Sequence, residues 1–144
     1  MFRYLIVVVA LVATLLADAV SWEKDFKSGV ENAKKIGKPI FFVSSRHSCK
    51  YCVILEEQTL SHPDVIKKLN EEFVSIISYS DENDYMPREF WRPGTPALWF
   101  MYPDSTPMFQ PLMGAVDAQN FLKALNIVKA EFGKSSLSAK SKEK

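Results

Sequence analysis

The sequence predicts an α/β fold in which helices flank a central mixed β-sheet on both faces. Stretches with helical spacing alternate along the chain with short apolar runs that are typical of buried strands. Glycines and prolines stand between several of these stretches, where they end one element and begin the next. The predicted order is helix, strand, helix, helix, strand, loop, strand, strand, helix. Interleaved helices and strands are typical of this fold class.

The first 19 residues are predicted to be a secretory signal peptide. Arg3 precedes an apolar run of 14 residues from Tyr4 to Ala17, and the small residues of Ala17-Asp18-Ala19 suit a signal peptidase. The run is short compared with the ~20 residues that a membrane-spanning helix needs. We therefore expect cleavage after Ala19 rather than a retained membrane anchor, and an exported, periplasmic protein.

The remainder of the chain is predicted to be one domain with a short tail. Residues 20–133 have the usual size of a domain, and residues 134–144 are predicted to be a disordered basic tail. The chain has a formal net charge of +1. This near-neutral charge gives no support for nucleic-acid binding, which normally leaves a basic footprint. We expect a monomer that does not bind nucleic acid.

Five elements are predicted in the first part of the domain. Ser21 is the candidate cap of the first helix, Gly37 ends that helix, and Pro63 suits the first position of the third helix. In chain order the predicted elements are a helix over 22–36, a strand over 39–45, a helix over 49–60, a helix over 63–73 and a strand over 73–79.

The second part of the domain is predicted to contain a loop, a β-hairpin and a final helix. Residues 80–94 show no clear period, and Phe90 and Trp91 within them are candidates to line a substrate groove. Residues 97–113 are predicted to form the hairpin, because two apolar runs are separated by turn-forming residues. Asp117 is the candidate cap of the final helix.

Cys49 and Cys52 are the two cysteines of the chain, and they stand where a predicted strand meets a predicted helix. At a helix N-terminus, free N–H groups and the helix dipole favour a negative charge, so the pKa of the Cys49 thiol is expected to be low. Lys50 adds positive charge beside it, and His47 adds more when it is protonated. Cys52 lies one turn further into the helix, where it can resolve a mixed disulfide formed by Cys49.

Three alternative roles of the cysteine pair stay open from the residues alone. A structural disulfide would close a very short loop and stabilise the fold only slightly. A metal-binding or chaperone-like module would use four candidate zinc ligands, which are His47, Cys49, Cys52 and His62. A redox-inactive interaction domain is the third alternative. We prefer a redox-active dithiol without a bound metal. Exported proteins that depend on disulfides for stability usually carry several cysteines, whereas this chain carries a single pair.

Thr95-Pro96 is the second motif that bears on function. Pro96 opens an apolar strand, which is one of the few strand positions that proline tolerates. From the local sequence alone a trans peptide bond is favoured, because only ~5% of X–Pro bonds in folded proteins are cis.

Together these motifs resemble the thioredoxin-like superfamily: a strand, a Cys-x-x-Cys pair that opens a helix, and a Thr-Pro pair before a hairpin. The stretch CKYCVILEEQTLSHPDVIKKLNEEFVSI, residues 49–76, is similar to exported members of that superfamily. They include the sulfur-oxidation thioredoxins and the C-terminal domain of the transmembrane thiol reductase. The resemblance covers nearly all of residues 20–133 and implies a thioredoxin-like fold.

The resemblance also implies an activity and a role for each site residue. Cys49 would be the catalytic nucleophile, Cys52 would resolve the mixed disulfide, and Thr95 with a cis Pro96 would bind the peptide substrate. The activity would be thiol:disulfide exchange with protein disulfides, in the direction of reduction. No cofactor is implied beyond the redox-active Cys49–Cys52 disulfide. A membrane-bound thiol reductase is implied as the electron donor.

Two positions depart from the pattern of the superfamily. Ser48 replaces the tryptophan that commonly precedes the first cysteine. Val43 stands six positions before Cys49, where thioredoxins carry a buried acidic residue that helps to deprotonate the second cysteine. Glu56 or Glu57, one turn past Cys52, is a candidate to replace that acid, although glutamates on a helix surface are mostly just solvated. These departures leave the direction of electron flow open.

Overall fold

The computed structural model describes residues 18–142 of the 144-residue chain. The predicted signal peptide, residues 1–19, therefore lies outside the described residues except for Asp18 and Ala19, and its cleavage stays a prediction. In the stretch from Asp18 to Lys142, no helix is both long enough and apolar enough to cross a bilayer.

Within residues 18–142, the structure contains four α-helices and four β-strands. They are, in chain order, α1 (Phe26–Ile36), β1 (Ile40–Ser45), α2 (Lys50–Ile54), α3 (Pro63–Glu72), β2 (Val74–Tyr79), β3 (Ala97–Met101), β4 (Leu112–Met113) and α4 (Ala118–Lys142). A π-helical turn, Leu55–Thr59, continues α2. Two 3₁₀ turns, Ser80–Glu82 and Arg88–Phe90, lie in the segment predicted to be a loop.

The strands form one mixed sheet in the order β2-β1-β3-β4. β1 is parallel to β2, with Ile40 opposite Val74 and Ser45 opposite Tyr79. β1 is antiparallel to β3, in which Ala97 lies opposite Ser44. The mixed sheet predicted from the sequence is therefore confirmed.

Helices cover both faces of the sheet, because the side chains of β1 alternate between two apolar clusters. Phe41 and Val43 pack in a cluster with residues of α3 and α4, including Phe121. Ile40 and Phe42 pack in the other cluster, with α1. Every residue of β1 is buried. Each fully buried phenylalanine or isoleucine contributes roughly 1.5–3 kcal/mol, so β1 is the centre of the core.

The first helix begins later than the sequence predicts. α1 starts at Phe26, and its N-cap is Asp25, whose carboxylate accepts a hydrogen bond of 2.8 Å from the Ser28 N–H. Ser21 is not the cap, because it lies four residues before Asp25, and its N–H donates to Asn70. Trp22 forms an isolated parallel bridge with Ser75 of β2. The residues before Asp25 therefore extend along the sheet edge instead of joining the helix.

The hairpin is less regular than predicted. β4 contains only Leu112 and Met113, and Pro107 makes a single bridge with Met101. Pro107 and Pro111 have no N–H to donate to a neighbouring strand, which limits the ladder to its last two residues.

The predicted disordered tail, residues 134–144, is not supported where the structure describes it. α4 continues through Gly133 to Lys142. Residues 134–142 contain no proline, and a glycine inside a helix costs only about 1 kcal/mol relative to alanine, so Gly133 does not end the helix. The buried residues of α4 stop at Val128, and most of the extension is exposed.

We expect the substitution Gly29→Ala to destabilise the domain. Gly29 is buried in α1, and a Cβ at this position would overlap the side chain of Ile76 on β2. The resulting overpacking should lower the free energy of unfolding by about 1–3 kcal/mol, measured by urea denaturation.

Gly133→Ala is the matched control for this change. A Cβ at Gly133 has no neighbour within 4 Å, so the alanine should stabilise α4 by up to ~1 kcal/mol. Equal stability of Gly29→Ala and the unchanged protein would contradict the close packing of α1 on β2.

Candidate active site

The two cysteines lie just past the carboxyl end of β1. Cys49 is the N-cap of α2, and its sulfur accepts a hydrogen bond of 3.2 Å from the Cys52 N–H. The Cys49 thiol also lies 3.4 Å from the Thr95 carbonyl oxygen, to which it donates. Both thiols are free. The structure thus places Cys49 at the helix start and the Cys52 side chain one turn further in.

The environments of the two thiols differ. Burial raises the pKa of the Cys49 thiol, but hydrogen bonds from Cys52, the Thr95 side chain and the Tyr51 N–H outweigh burial, so the pKa is lowered. Burial also raises the pKa of Cys52, which is 0% exposed, and its hydrogen bond with Cys49 raises it further. The partly exposed thiol is therefore the more acidic one, and the buried thiol holds its proton more tightly.

His47 and Lys50 are not among the largest contributors to the Cys49 pKa. The His47 ring stacks on Tyr79, with ring centroids 3.9 Å apart, and its Nε2 lies 2.7 Å from a carboxylate oxygen of Glu82. Lys50 is the first residue of α2 and is exposed. Their predicted role as modulators of the thiol stays a prediction.

The candidate zinc ligands are not brought together. His62 caps α3, where its Nδ1 accepts a hydrogen bond from the Asp64 N–H. His47 pairs with Glu82 on the other side of the cysteine stretch. Among residues 18–142, no three side chains of histidine, cysteine, aspartate or glutamate are grouped as a metal ion would require.

Thr95 and Pro96 lie beside the dithiol, at the start of β3. The peptide bond between them is cis, contrary to the expectation from the local sequence alone. The Thr95 carbonyl contacts the Cys49 thiol, and the buried Pro96 accepts a hydrogen bond of 3.0 Å from the Gly114 N–H. The structure therefore brings together the two motifs that the sequence holds 46 residues apart.

The aromatic residues of the loop separate into two environments. Phe90 is only 1% exposed and packs against Phe26, Phe42 and Trp99, so its predicted place in a substrate groove is wrong. The 3₁₀ turn directs this ring into the core cluster beside α1. Trp91 is 62% exposed.

The sequence indicates Glu56 and His47 as candidates beside the dithiol, but it does not identify the other polar groups that surround it. The Ser48 N–H donates to Asp81, and Glu82 pairs with His47, so the acidic segment after β2 lies against the cysteine stretch. Ser45 and Tyr79 end two neighbouring parallel strands, and both donate to Glu56. The sequence could have indicated this grouping, because the carboxyl ends of parallel strands meet at one edge of a sheet, and Ser45 and Tyr79 end two predicted strands.

We expect iodoacetamide to label Cys49 before Cys52 in the reduced protein. The thiolate is the reactive form, and the lowered pKa of Cys49 gives it more thiolate at a given pH than an ordinary cysteine has. Half-maximal labelling of Cys49 should therefore fall at a lower pH than that of Cys52, measured by peptide mass spectrometry between about pH 5 and about pH 10. The unfolded protein in guanidinium chloride is the control, and faster labelling of Cys52 in the folded protein would contradict the assignment.

Comparisons with known proteins agree with this architecture. A family model described as a thioredoxin-like domain matches residues 26–129. A thioredoxin from Thermus thermophilus superposes with a TM-score of 0.69 at 24% identity, over 82% of this chain and 93% of that one. The C-terminal domain of Neisseria meningitidis DsbD, in its oxidised form, superposes with a TM-score of 0.55 at 21% identity, over 69% of this chain and 89% of that one.

A curated relative, spermatogenesis-associated protein 20 of Rattus norvegicus, is 27% identical to this chain over 99 residues. The match takes in 66% of this chain but only 12% of that much longer protein. The identities of the two solved structures are low enough that these two matches show the fold alone. The family model, however, covers well over half of the 144 residues. The chain therefore belongs to the family of thioredoxin-like domains.

Proposed function

We propose that the protein is an exported thiol:disulfide oxidoreductase that reduces protein disulfides in the periplasm. The observation that carries this proposal is the asymmetry of the cysteine pair. Cys49 is the more accessible thiol and has a lowered pKa, whereas Cys52 is buried and has a raised pKa. This asymmetry suits a nucleophile and a resolving thiol, which react in a fixed order.

The reaction has two exchanges of sulfur partners. The Cys49 thiolate attacks one sulfur of a substrate disulfide, and the other substrate sulfur leaves as a thiolate that takes up a proton. Cys52 then loses its proton and attacks the Cys49 sulfur, which forms the Cys49–Cys52 disulfide and releases the second substrate thiolate. The substrate gains two electrons and two protons, and the dithiol is oxidised by the same amount. No cofactor beyond the dithiol takes part.

Thr95 and Pro96 are the proposed binding site of the substrate peptide. In the reduced protein the Thr95 carbonyl accepts a hydrogen bond from the Cys49 thiol. A mixed disulfide at Cys49 has no thiol proton, so the carbonyl becomes free to accept a hydrogen bond from the substrate backbone. The buried Pro96 adds an apolar contact next to the reacting sulfurs.

The direction of electron flow, the compartment and the partner belong to the same proposal. A reductase ends each cycle with an oxidised dithiol, so it needs a donor, and we assign that role to a membrane-bound thiol reductase. Export rests on the signal peptide predicted from residues 1–19. We propose that the protein acts as a monomer on protein disulfides.

Trapping experiments test the roles of the two cysteines. We expect the Cys49→Ser variant to lose insulin reduction, because the nucleophile is absent. We expect the Cys52→Ser variant to accumulate a mixed disulfide with the substrate, detected as a mass shift that dithiothreitol removes. Undiminished reduction by Cys49→Ser would overturn the assignment and favour the redox-inactive interaction domain.

A glutathione redox titration of the Cys49–Cys52 pair tests the direction of electron flow. For a reductase we expect a reduction potential near the thioredoxin value, about −270 mV. A potential near about −120 mV would identify an oxidant that donates its disulfide, and the proposed direction would then be wrong.

A further inference from the structure

The chain between β1 and α2 makes a tight turn directly before the nucleophile. The Cys49 N–H closes this turn by donating to the Arg46 carbonyl oxygen at 3.3 Å. The bond is longer than the usual range of about 2.7–3.2 Å for an N–H···O hydrogen bond. Residues 46–49 contain neither glycine nor proline, which preset the conformation of a turn most strongly. The conformation of this turn therefore depends on contacts with other parts of the chain.

The acidic segment after β2 supplies those contacts. The two central residues of the turn are His47 and Ser48, and the 3₁₀ turn Ser80–Glu82 lies against both. The Ser48 N–H donates to Oδ2 of Asp81 at 3.1 Å. Nε2 of His47 lies 2.7 Å from Oε1 of Glu82. One carboxylate thus holds the backbone of the turn, and the next carboxylate holds a side chain of the turn.

The acidic segment is closed by hydrogen bonds of its own. The Tyr79 N–H donates to Oδ2 of Asp84 at 2.9 Å, and the Asp84 N–H donates to the Tyr79 carbonyl oxygen at 3.2 Å. Asn83 lies between them in the left-handed region, with a φ of 59°, which asparagine adopts more readily than most residues. The segment leaves β2 at Tyr79, opposite Ser45 at the end of β1. Two turns therefore leave neighbouring strand ends, and the closed one supports the other.

The geometry of the turn determines the environment of the Cys49 sulfur. Cys49 has an extended backbone, with φ −97° and ψ 117°, as the N-cap of α2. In this position its sulfur accepts a hydrogen bond of 3.2 Å from the Cys52 N–H. The free N–H groups of the first helical turn favour the thiolate. Ser48 directly precedes Cys49, so a shift of its backbone would move the sulfur away from these groups.

We propose that Asp81 is a positioning residue for the nucleophile: its carboxylate holds the Ser48 N–H and thereby keeps Cys49 in the N-cap position of α2. Asp81 acts through the backbone and takes no part in the exchange of sulfur partners. Ser48 contributes only its backbone N–H, so the contact does not require the tryptophan that commonly stands at this position. The inference rests on the proposed function, because it concerns the thiol that begins the first exchange.

The position and the charge of Asp81 act on Cys49 in opposite directions. Desolvation raises the pKa of the Asp81 carboxyl, but hydrogen bonds from backbone N–H groups, that of Ser48 among them, outweigh it and lower the pKa. The carboxylate is therefore charged at neutral pH, and a negative charge beside a thiol disfavours the thiolate. The other charged or titratable groups of the turn and the acidic segment are Arg46, His47, Lys50, Glu82 and Asp84.

Two substitutions separate the position of the Asp81 side chain from its charge. Asp81→Ala removes both the acceptor and the charge, whereas Asp81→Asn removes the charge and keeps an oxygen that accepts a hydrogen bond. Glu89→Ala is the matched control, because Glu89 is also an exposed acid in the middle of a 3₁₀ turn. Iodoacetamide labelling of Cys49 is followed by peptide mass spectrometry from about pH 5 to about pH 10, in the full reduced protein.

We expect Asp81→Ala to slow the labelling of Cys49 about fivefold near neutral pH, because the thiol loses hydrogen bonds that favour its charged form. The pH of half-maximal labelling should rise, and the rates should converge at high pH, where the thiol is ionised in both proteins. Deuterium exchange of the amides of residues 46–52 should be faster in this variant. Asp81→Asn should stay within about twofold of the unchanged protein, and Glu89→Ala should match it.

Three results would overturn the positioning role. A lower pH of half-maximal labelling in both Asp81 variants would show that the charge governs the thiol. Unchanged labelling in Asp81→Ala would show that the contact has no effect on Cys49. Equal slowing in Asp81→Asn and Asp81→Ala would show that a retained acceptor does not preserve the turn.

Two further measurements separate misfolding and the proposed function from this test. Melting temperatures are measured in parallel, and if Asp81→Ala is misfolded, Asp81→Asn decides: labelling like that of the unchanged protein supports the positioning role, and altered labelling overturns it. Labelling needs no substrate, so it tests the position of Cys49 whether or not the protein reduces disulfides. The absence of insulin reduction by the unchanged protein would overturn the proposed function and leave the labelling result standing.

Discussion

The pairing of β1 with strands on both sides determines the position of every group at the site. Its last residue, Ser45, lies opposite Tyr79 of β2, and Ser44 lies opposite Ala97 of β3. The end of β1, the end of β2 and the start of β3 therefore meet at one edge of the sheet. Cys49 follows the end of β1, the acidic segment follows the end of β2, and Thr95-Pro96 precedes the start of β3. Loss of the register in β1 would separate all of them at once.

The two thiols of the dithiol differ in burial and in pKa, although they are only three positions apart in the sequence. One residue is the N-cap and the other lies inside the helix, so the same backbone geometry that gives Cys49 a hydrogen bond from the Cys52 N–H also buries the Cys52 side chain. Hydrogen bonds to sulfur favour the charged form and burial disfavours it, and the balance differs between the two sites. The proposed order of reaction rests on this difference in environment.

The acidic groups near the dithiol come from elements that are separate in the sequence. Strand β1 supplies Val43, which packs in the core, and the carboxylate that faces this region belongs to Glu56 in the helix. Asp81 and Glu82 approach from the other side and bond the Ser48 N–H and the His47 ring. His47 and the acidic segment thus contact one another beside the cysteine stretch.

The sequence by itself determined the α/β class, the positions of β1, β2 and β3, and the place of the cysteine pair at a helix start, because these depend on local spacing, on apolar periodicity and on single turn-forming residues. It missed the later start of α1, the short β4 and the continued helix after Gly133, where competing caps and missing N–H groups decide the boundary. Only the tertiary structure decided that Phe90 is buried and that Ser45, Glu56 and Tyr79 form one hydrogen-bonded group. Those contacts join residues far apart in the chain, and their partners are set by strand register and packing, which no local pattern contains.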